Sequence, residues 1–154
     1  MNESGSVSSE DSEQLGFALY AAARAIASCY RPLLAPLGLT HTQYLVMLVL
    51  WEQQVVTVGE LGDRLQLASG TLSPLLGRLS WAGLITRRRR PGDFRVVEVS
   101  VTSAGRALRA QTLEVPAHIA RATGMTSAEI ADVREAMQVL TMRLRAAELR
   151  LPHE

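Results

Sequence analysis

Ala68-Ser69-Gly70-Thr71-Leu72-Ser73-Pro74-Leu75-Leu76-Gly77-Arg78-Leu79 is followed, past Gly83, by Arg87-Arg88-Arg89-Arg90, Pro91-Gly92-Asp93-Phe94-Arg95 and Val96-Val97-Glu98-Val99-Ser100-Val101. The first part predicts a helix. Leu72, Leu75, Leu76 and Leu79 form its buried face, Ala68 or Ser69 stands at the N-cap, and Pro74 falls early enough to be tolerated. Gly83 stops it. The second part predicts a strand, a turn and a returning strand. Upstream, Thr57-Val58-Gly59-Glu60 has the form of a capping box and opens a short helix carrying Leu61 and Leu65. Two short helices followed by a two-stranded ribbon make a winged helix-turn-helix.

Outward from this centre the chain is helical. Thr40-His41-Thr42-Gln43 is another capping box, for a helix running to about Trp51, and Val55-Val56 is short and extended. Before it, Leu15, Leu19, Ala22, Ile26, Cys29 and Leu33 form the stripe of a long helix that begins near Asp11 or Ser12 and is closed by Pro32 and Pro36. Beyond the wing, Thr102 opens a helix with Ala104, Leu108, Val115 and Ile119, kinked at Pro116. Thr126 and Glu129 cap a last helix whose Ile130, Val133, Met137, Leu140, Leu144 and Ala147 keep the heptad spacing of a packing seam. The apolar faces of the first and last helices are too extensive for a small winged region to cover. A twofold homodimer covers them, and sets two recognition helices about 34 Å apart for a palindrome. The expected fold is therefore mainly α with a small β-hairpin wing. Residues 1–10 read as a disordered tail, 37–101 as the winged DNA-binding region, and 11–36 with 102–150 as a helical dimerisation region.

Composition bounds the function. The 154 residues are 47% hydrophobic, enough for a core, and aromatics are sparse at 5%, so each should have a definite place. A net charge of +1 argues against indiscriminate polyanion binding, but Glu3, Glu10, Asp11 and Glu13 crowd the start while Arg87 to Arg90 cluster in the wing. All 16 basic residues are arginine; that suits bidentate contacts to phosphate or guanine, and a GC-rich coding sequence gives the same bias. One cysteine, Cys29, excludes an internal disulfide and fits a reducing cytoplasm. No apolar run is long enough to span a bilayer, and the acidic start is the opposite of a signal peptide, so a cytoplasmic protein without a membrane partner is expected. His41, His118 and His153 show no ligand spacing, and neither a phosphate loop nor a nucleophile elbow is present. No enzyme, metal site or cofactor is expected.

The chemistry that remains is recognition of double-stranded DNA. A helix N-terminus entering the major groove needs small polar side chains, which Ser69, Thr71 and Ser73 supply, and it attracts phosphate. Arg78 lies within reach of backbone phosphate. Arg88 and Arg90 share one face of the wing strand, and Arg95, past the turn, is placed for the minor groove. Asp93 would repel phosphate and reads as the ion-pair partner orienting Arg95.

Phe17-Ala18-Leu19-Tyr20, Tyr30-Arg31-Pro32-Leu33-Leu34, the string from Leu39 through Gln43-Tyr44-Leu45 to Glu52, and Ser69-Gly70-Thr71-Leu72-Ser73-Pro74-Leu75-Leu76 resemble the MarR family, and within it the organic-hydroperoxide-sensing branch. Asp93 and Arg95 match the wing motif of that family. The resemblance covers roughly residues 14 to 120 and implies a dimeric repressor that leaves a palindromic operator when an effector modifies or occupies it. It also implies an effector pocket at the dimer interface, with Tyr20, Tyr30 and Tyr44 around a sensor cysteine. Here Gly16 stands at the sensor position, without a nucleophile to oxidise. Cys29 lies about 20 Å further along the helix and on its apolar stripe, which reads as a structural thiol. The pocket is then expected to take a small apolar or phenolic molecule non-covalently, or the protein is insensitive to peroxide. Two alternatives stay open: redox sensing by Cys29 across the dimer, and an interaction protein that has lost DNA binding. Ala68, where an acidic cap is usual, and Gly77, often basic in the family, are further departures.

Overall fold

A computed structural model describes residues 8–148, which divide after Val115 into two compact units. In the first, α1 (Ser9–Leu34) leads through a 3-10 turn (Ala35–Leu37) to α2 (His41–Gln53), β1 (Val55–Thr57), α3 (Val58–Leu65), α4 (Ser69–Trp81), β2 (Ile85–Arg90), β3 (Asp93–Val101) and α5 (Ser103–Leu108). A second 3-10 turn (Arg109–Thr112) follows, then α6 (Val115–Thr123) and α7 (Ser127–Glu148). Mainly α with a small β wing is the architecture observed.

Helix starts follow the capping chemistry. Thr40 accepts from the amide of Gln43 while the Gln43 side chain accepts from the amide of Thr40, and Thr57 with Glu60 repeats the arrangement. Thr126 and Glu129 do the same for α7. A fourth box went unread in the sequence. Ser8 Oγ accepts from the Asp11 amide and Asp11 accepts from the Ser8 amide, so α1 begins at Ser9, inside the stretch expected to be a disordered tail. Residues 1–7 of that tail lie outside the described residues.

Helix ends differ more from expectation. Pro32 lies inside α1 rather than closing it, and the chain turns only through Pro36 and Gly38. Proline removes one helical hydrogen bond, which a long helix survives near its last turn. The helix expected from Thr102 to Ile119 is broken ahead of Pro116, which sits in the first turn of α6, where its missing N–H costs nothing. Gly83 ends α4 at φ +75°, where its amide donates to the carbonyl of Ser80 and that of Leu84 to Leu79, satisfying two of the carbonyls the helix end leaves open.

The sheet has three strands in the order β1-β3-β2, all antiparallel, so the extended Val55-Val56 segment joins the hairpin. Thr57 pairs with Glu98, Arg88 pairs with Glu98 from the other side, and an irregularity falls between Arg89 and Arg90. The core of this unit is Leu34, Tyr44, Met47, Leu50, Trp51, Leu61, Leu72, Leu76, Leu79, Ile85 and Val99, all buried. Trp51 donates from Nε1 to the carbonyl of Gly105 at 2.7 Å. That contact needs glycine: a Cβ at residue 105 would lie 2.2 Å from the carbonyl oxygen of Leu84. Trp51 thus has the definite place expected of an aromatic, whereas Trp81, Phe17 and Phe94 are exposed. In α7 no residue is buried.

Candidate nucleic-acid interface

The helix-turn-helix is α3 and α4, joined through Gln66 at φ +58°. Ala68 is the N-cap of α4 and offers no side-chain hydrogen bond; Ser69 falls one residue inside and does not replace it. The amides of Thr71 and Leu72 both turn back to the carbonyl of Ala68, at 3.0 Å. The start of α4 therefore carries partial positive charge with no cap across it. Ser69, Thr71 and Ser73 are exposed on this end. Arg78 is exposed two turns on. A cleft of about 420 Å³ opens there, with Thr71, Leu75 and Arg78 on one wall and Thr40 and Thr42 from the start of α2 on the other. Nothing in the sequence signals this neighbour, because the capping box at Thr40 locates α2 along the chain but not in space.

In the wing, Arg87, Arg88, Arg89, Arg90 and Arg95 are all exposed, yet they are not equivalent. The Arg95 side chain is 93% accessible, and its Nε and backbone amide both donate to Asp93 Oδ1, at 3.3 and 3.2 Å. Arg90 is turned back along the sheet, with Nε 2.8 Å from Glu98 Oε1. That hydrogen bond raises the pKa of the guanidinium. Glu60 is held below the usual carboxylate range by the backbone and hydroxyl of Thr57, and the charge of Arg90 adds to the effect. Arg90 is therefore surrounded by carboxylates, while Arg88 takes part in no ion pair among the described residues.

These elements and residues decide the relationship. The MarR family profile matches residues 39–97. The organic hydroperoxide resistance transcriptional regulator of Bacillus subtilis is 39% identical over 127 residues, 82% of this chain and 86% of its own length. The chain belongs to the MarR family. Another relative, the HTH-type transcriptional regulator TtmR of Methylorubrum extorquens, is 49% identical over 113 residues, which are 73% of this chain and 58% of that regulator. Among solved structures, AbfR of Staphylococcus epidermidis superposes with a TM-score of 0.74 at 31% identity, covering 88% of this chain and 93% of AbfR. Reduced AbfR bound to DNA gives 0.73 at 32%, covering 86% and 92%.

The residues expected to line an effector pocket are only partly brought together within one chain. Tyr30 stacks on His41 with ring centroids 4.2 Å apart and lies 5.7 Å from Tyr44, which meets Trp51 edge-on at 6.1 Å. Burial raises the pKa of Tyr30 and Tyr44, the former adding to the latter, and lowers that of His41. Tyr20 is exposed, with Arg24 over its ring at 5.8 Å, and sits one turn from Gly16. From Gly16 to Tyr30 is about 21 Å along α1. One protomer therefore cannot close a pocket around both. A Cβ at residue 16 would meet nothing within 4 Å, so no contact among the described residues requires glycine there. Cys29, expected to be buried on the apolar stripe, is exposed, as are Leu15 and Ile26 on the same stripe. Among the described residues no cluster of His, Cys, Asp or Glu is placed to hold a metal ion, and no single helix is long and apolar enough to cross a membrane.

Proposed function

We propose that this protein is a homodimeric repressor that binds a palindromic operator in the cytoplasm and answers to a small apolar or phenolic effector. The observation carrying the DNA reading is the uncapped start of α4 beside a wing whose Arg95 is almost wholly free to solvent. Ser69, Thr71 and Ser73 enter the major groove, Arg78 and Arg88 meet phosphates, and Arg95, steadied by Asp93, reaches the minor groove. Dimerisation through residues 11–36 and 102–150 rests on the exposed Leu15, Ile26, Val133, Met137 and Leu144. The same pairing would bring Gly16 and Tyr20 of one copy to the Tyr30–Tyr44 cluster of the other and form the effector pocket there.

One observation favours a second reading. Cys29 is exposed within the protomer, so a thiol switch acting across the dimer is a real competitor. A gel shift with the protein's own upstream DNA, with and without an organic hydroperoxide, separates the readings. Binding indifferent to peroxide supports the non-covalent effector. Binding lost to peroxide and restored by thiol supports Cys29. No binding to any DNA overturns both and leaves an interaction protein.

A further inference from the structure

We infer that Arg90 is a positioning residue, which anchors the wing to the helix-turn-helix through Glu98 instead of contacting DNA; this rests on the DNA-binding reading above. Glu98 occupies the central strand of the sheet, level with Arg88 on β2 and with Thr57 on β1. Thr57 is also the N-cap of α3, and its hydroxyl donates to Glu60 at 2.8 Å. The Arg90–Glu98 bond, at 2.8 Å, therefore joins the outer part of the wing to the point where the sheet meets the first helix of the DNA-reading pair. It lies just past the irregularity at Arg89 and Arg90, where β2 loses its regular pairing and Arg90 comes opposite Asp93. Main-chain pairing alone leaves the wing free to bend at such an irregularity. A side-chain bond spanning it fixes where Asp93 and Arg95 point. Glu98 is the less exposed partner, at 31% against 47%, so the bond is set from the sheet side.

The two roles for Arg90 predict opposite signs at Glu98. If Arg90 gripped a phosphate, Glu98→Gln would free it and remove a repelling charge, so DNA would bind more tightly. If Arg90 anchors the wing, Glu98→Gln loosens it and DNA binds more weakly. We expect Glu98→Gln and Arg90→Gln each to weaken operator binding about two- to fivefold, the scale of one solvent-accessible ion pair. The exchanged pair Arg90→Glu with Glu98→Arg should recover most of that loss. The slope of log affinity against log salt should stay unchanged in Arg90→Gln, whereas a lost phosphate contact lowers it by about 0.9.

Hydrogen exchange of the DNA-free protein gives a second readout. Amides of residues 88–97 should exchange faster in both single variants and return toward normal in the exchanged pair. Tighter binding by Glu98→Gln, a reduced salt slope in Arg90→Gln, or unchanged exchange in both variants would each overturn the inference. If the unaltered protein bound no DNA while its wing still loosened on Arg90→Gln, the DNA reading would fail and the anchor would stand.

Discussion

Helices α1 and α2 are both rich in aliphatic residues, and the chain treats them in opposite ways. Over 13 residues α2 buries Gln43, Tyr44, Val46, Met47, Val49, Leu50 and Trp51, whereas α1, with 26 residues, buries only Leu34. The apolar residues of α2 point all round and find neighbours in α3, α4 and the sheet. Those of α1 keep to a stripe whose Leu15 is 47% and Ile26 40% exposed. Burying such a side chain stabilises by about 1.5–3 kcal/mol, so a stripe left uncovered marks a surface shaped for another one. Helical periodicity says that a face is to be buried, and cannot say whether the same chain buries it.

The comparison breaks most severely on the α2 side. Gly105→Ala would drive a methyl to 2.2 Å from the Leu84 carbonyl oxygen and 2.8 Å from Val101 Cγ2, and the first is backbone that cannot rotate away. It would also displace the carbonyl that receives the Trp51 indole N–H. The expected loss is at least about 3 kcal/mol in urea unfolding. A variant as stable as the parent would mean that the α2–α5 junction is much looser than these distances state.

On the α1 side, Leu15→Gln with Ile26→Gln removes nothing buried within the chain. Helix content should be preserved, while sedimentation velocity should show the particle falling to a single chain. With one recognition helix in place of two, operator affinity should drop about 100-fold or more through lost bivalency. A persistent dimer would move the interface away from this stripe.

These outcomes bear on what the sequence could disclose. Capping boxes are local, three residues apart, and those at Thr40, Thr57 and Thr126 stand at the starts of α2, α3 and α7. The box at Ser8 is equally local but lies in a polar, acidic stretch whose composition argues for disorder. Breaks are harder, because Pro116 is compatible both with a kink and with a fresh start, and only tertiary packing chooses. Of the candidate DNA contacts, the exposed hydroxyls of α4 could be read from position along the helix. The direction of Arg90 could not: strand alternation puts it beside Arg88, and the irregularity at Arg89 that turns it onto Glu98 has no sequence signal. His41 beside Tyr30 is a contact between two helices and was invisible for the same reason.

A smaller test concerns Gly16, inside α1 about two turns from its start. Glycine there costs about 0.5–1 kcal/mol relative to alanine, and the added methyl has nothing within 4 Å among the described residues. Gly16→Ala should therefore raise stability by that amount in thermal unfolding. A loss instead would show that a second copy passes close to residue 16, which would strengthen the assignment of this position to the interfacial pocket.

The slightest expected effect lies where the two helices meet. Burial lowers the pKa of His41 below the ordinary 6.5, because the imidazolium would lose hydration against the Tyr30 ring. The unfolded chain then takes up a proton at a higher pH than the folded one. Stability from this group is complete above about 6.5 and is lost as pH falls through the lower, folded value. If a partner helix lies over the Tyr30–His41 stack, dimerisation desolvates the ring further. NMR titration of His41 should then give a lower pKa in the dimer than in the Leu15→Gln, Ile26→Gln variant. Equal values in both would place the partner away from the stack, and the pocket would lose its cross-dimer wall while the α1 stripe kept its role in assembly.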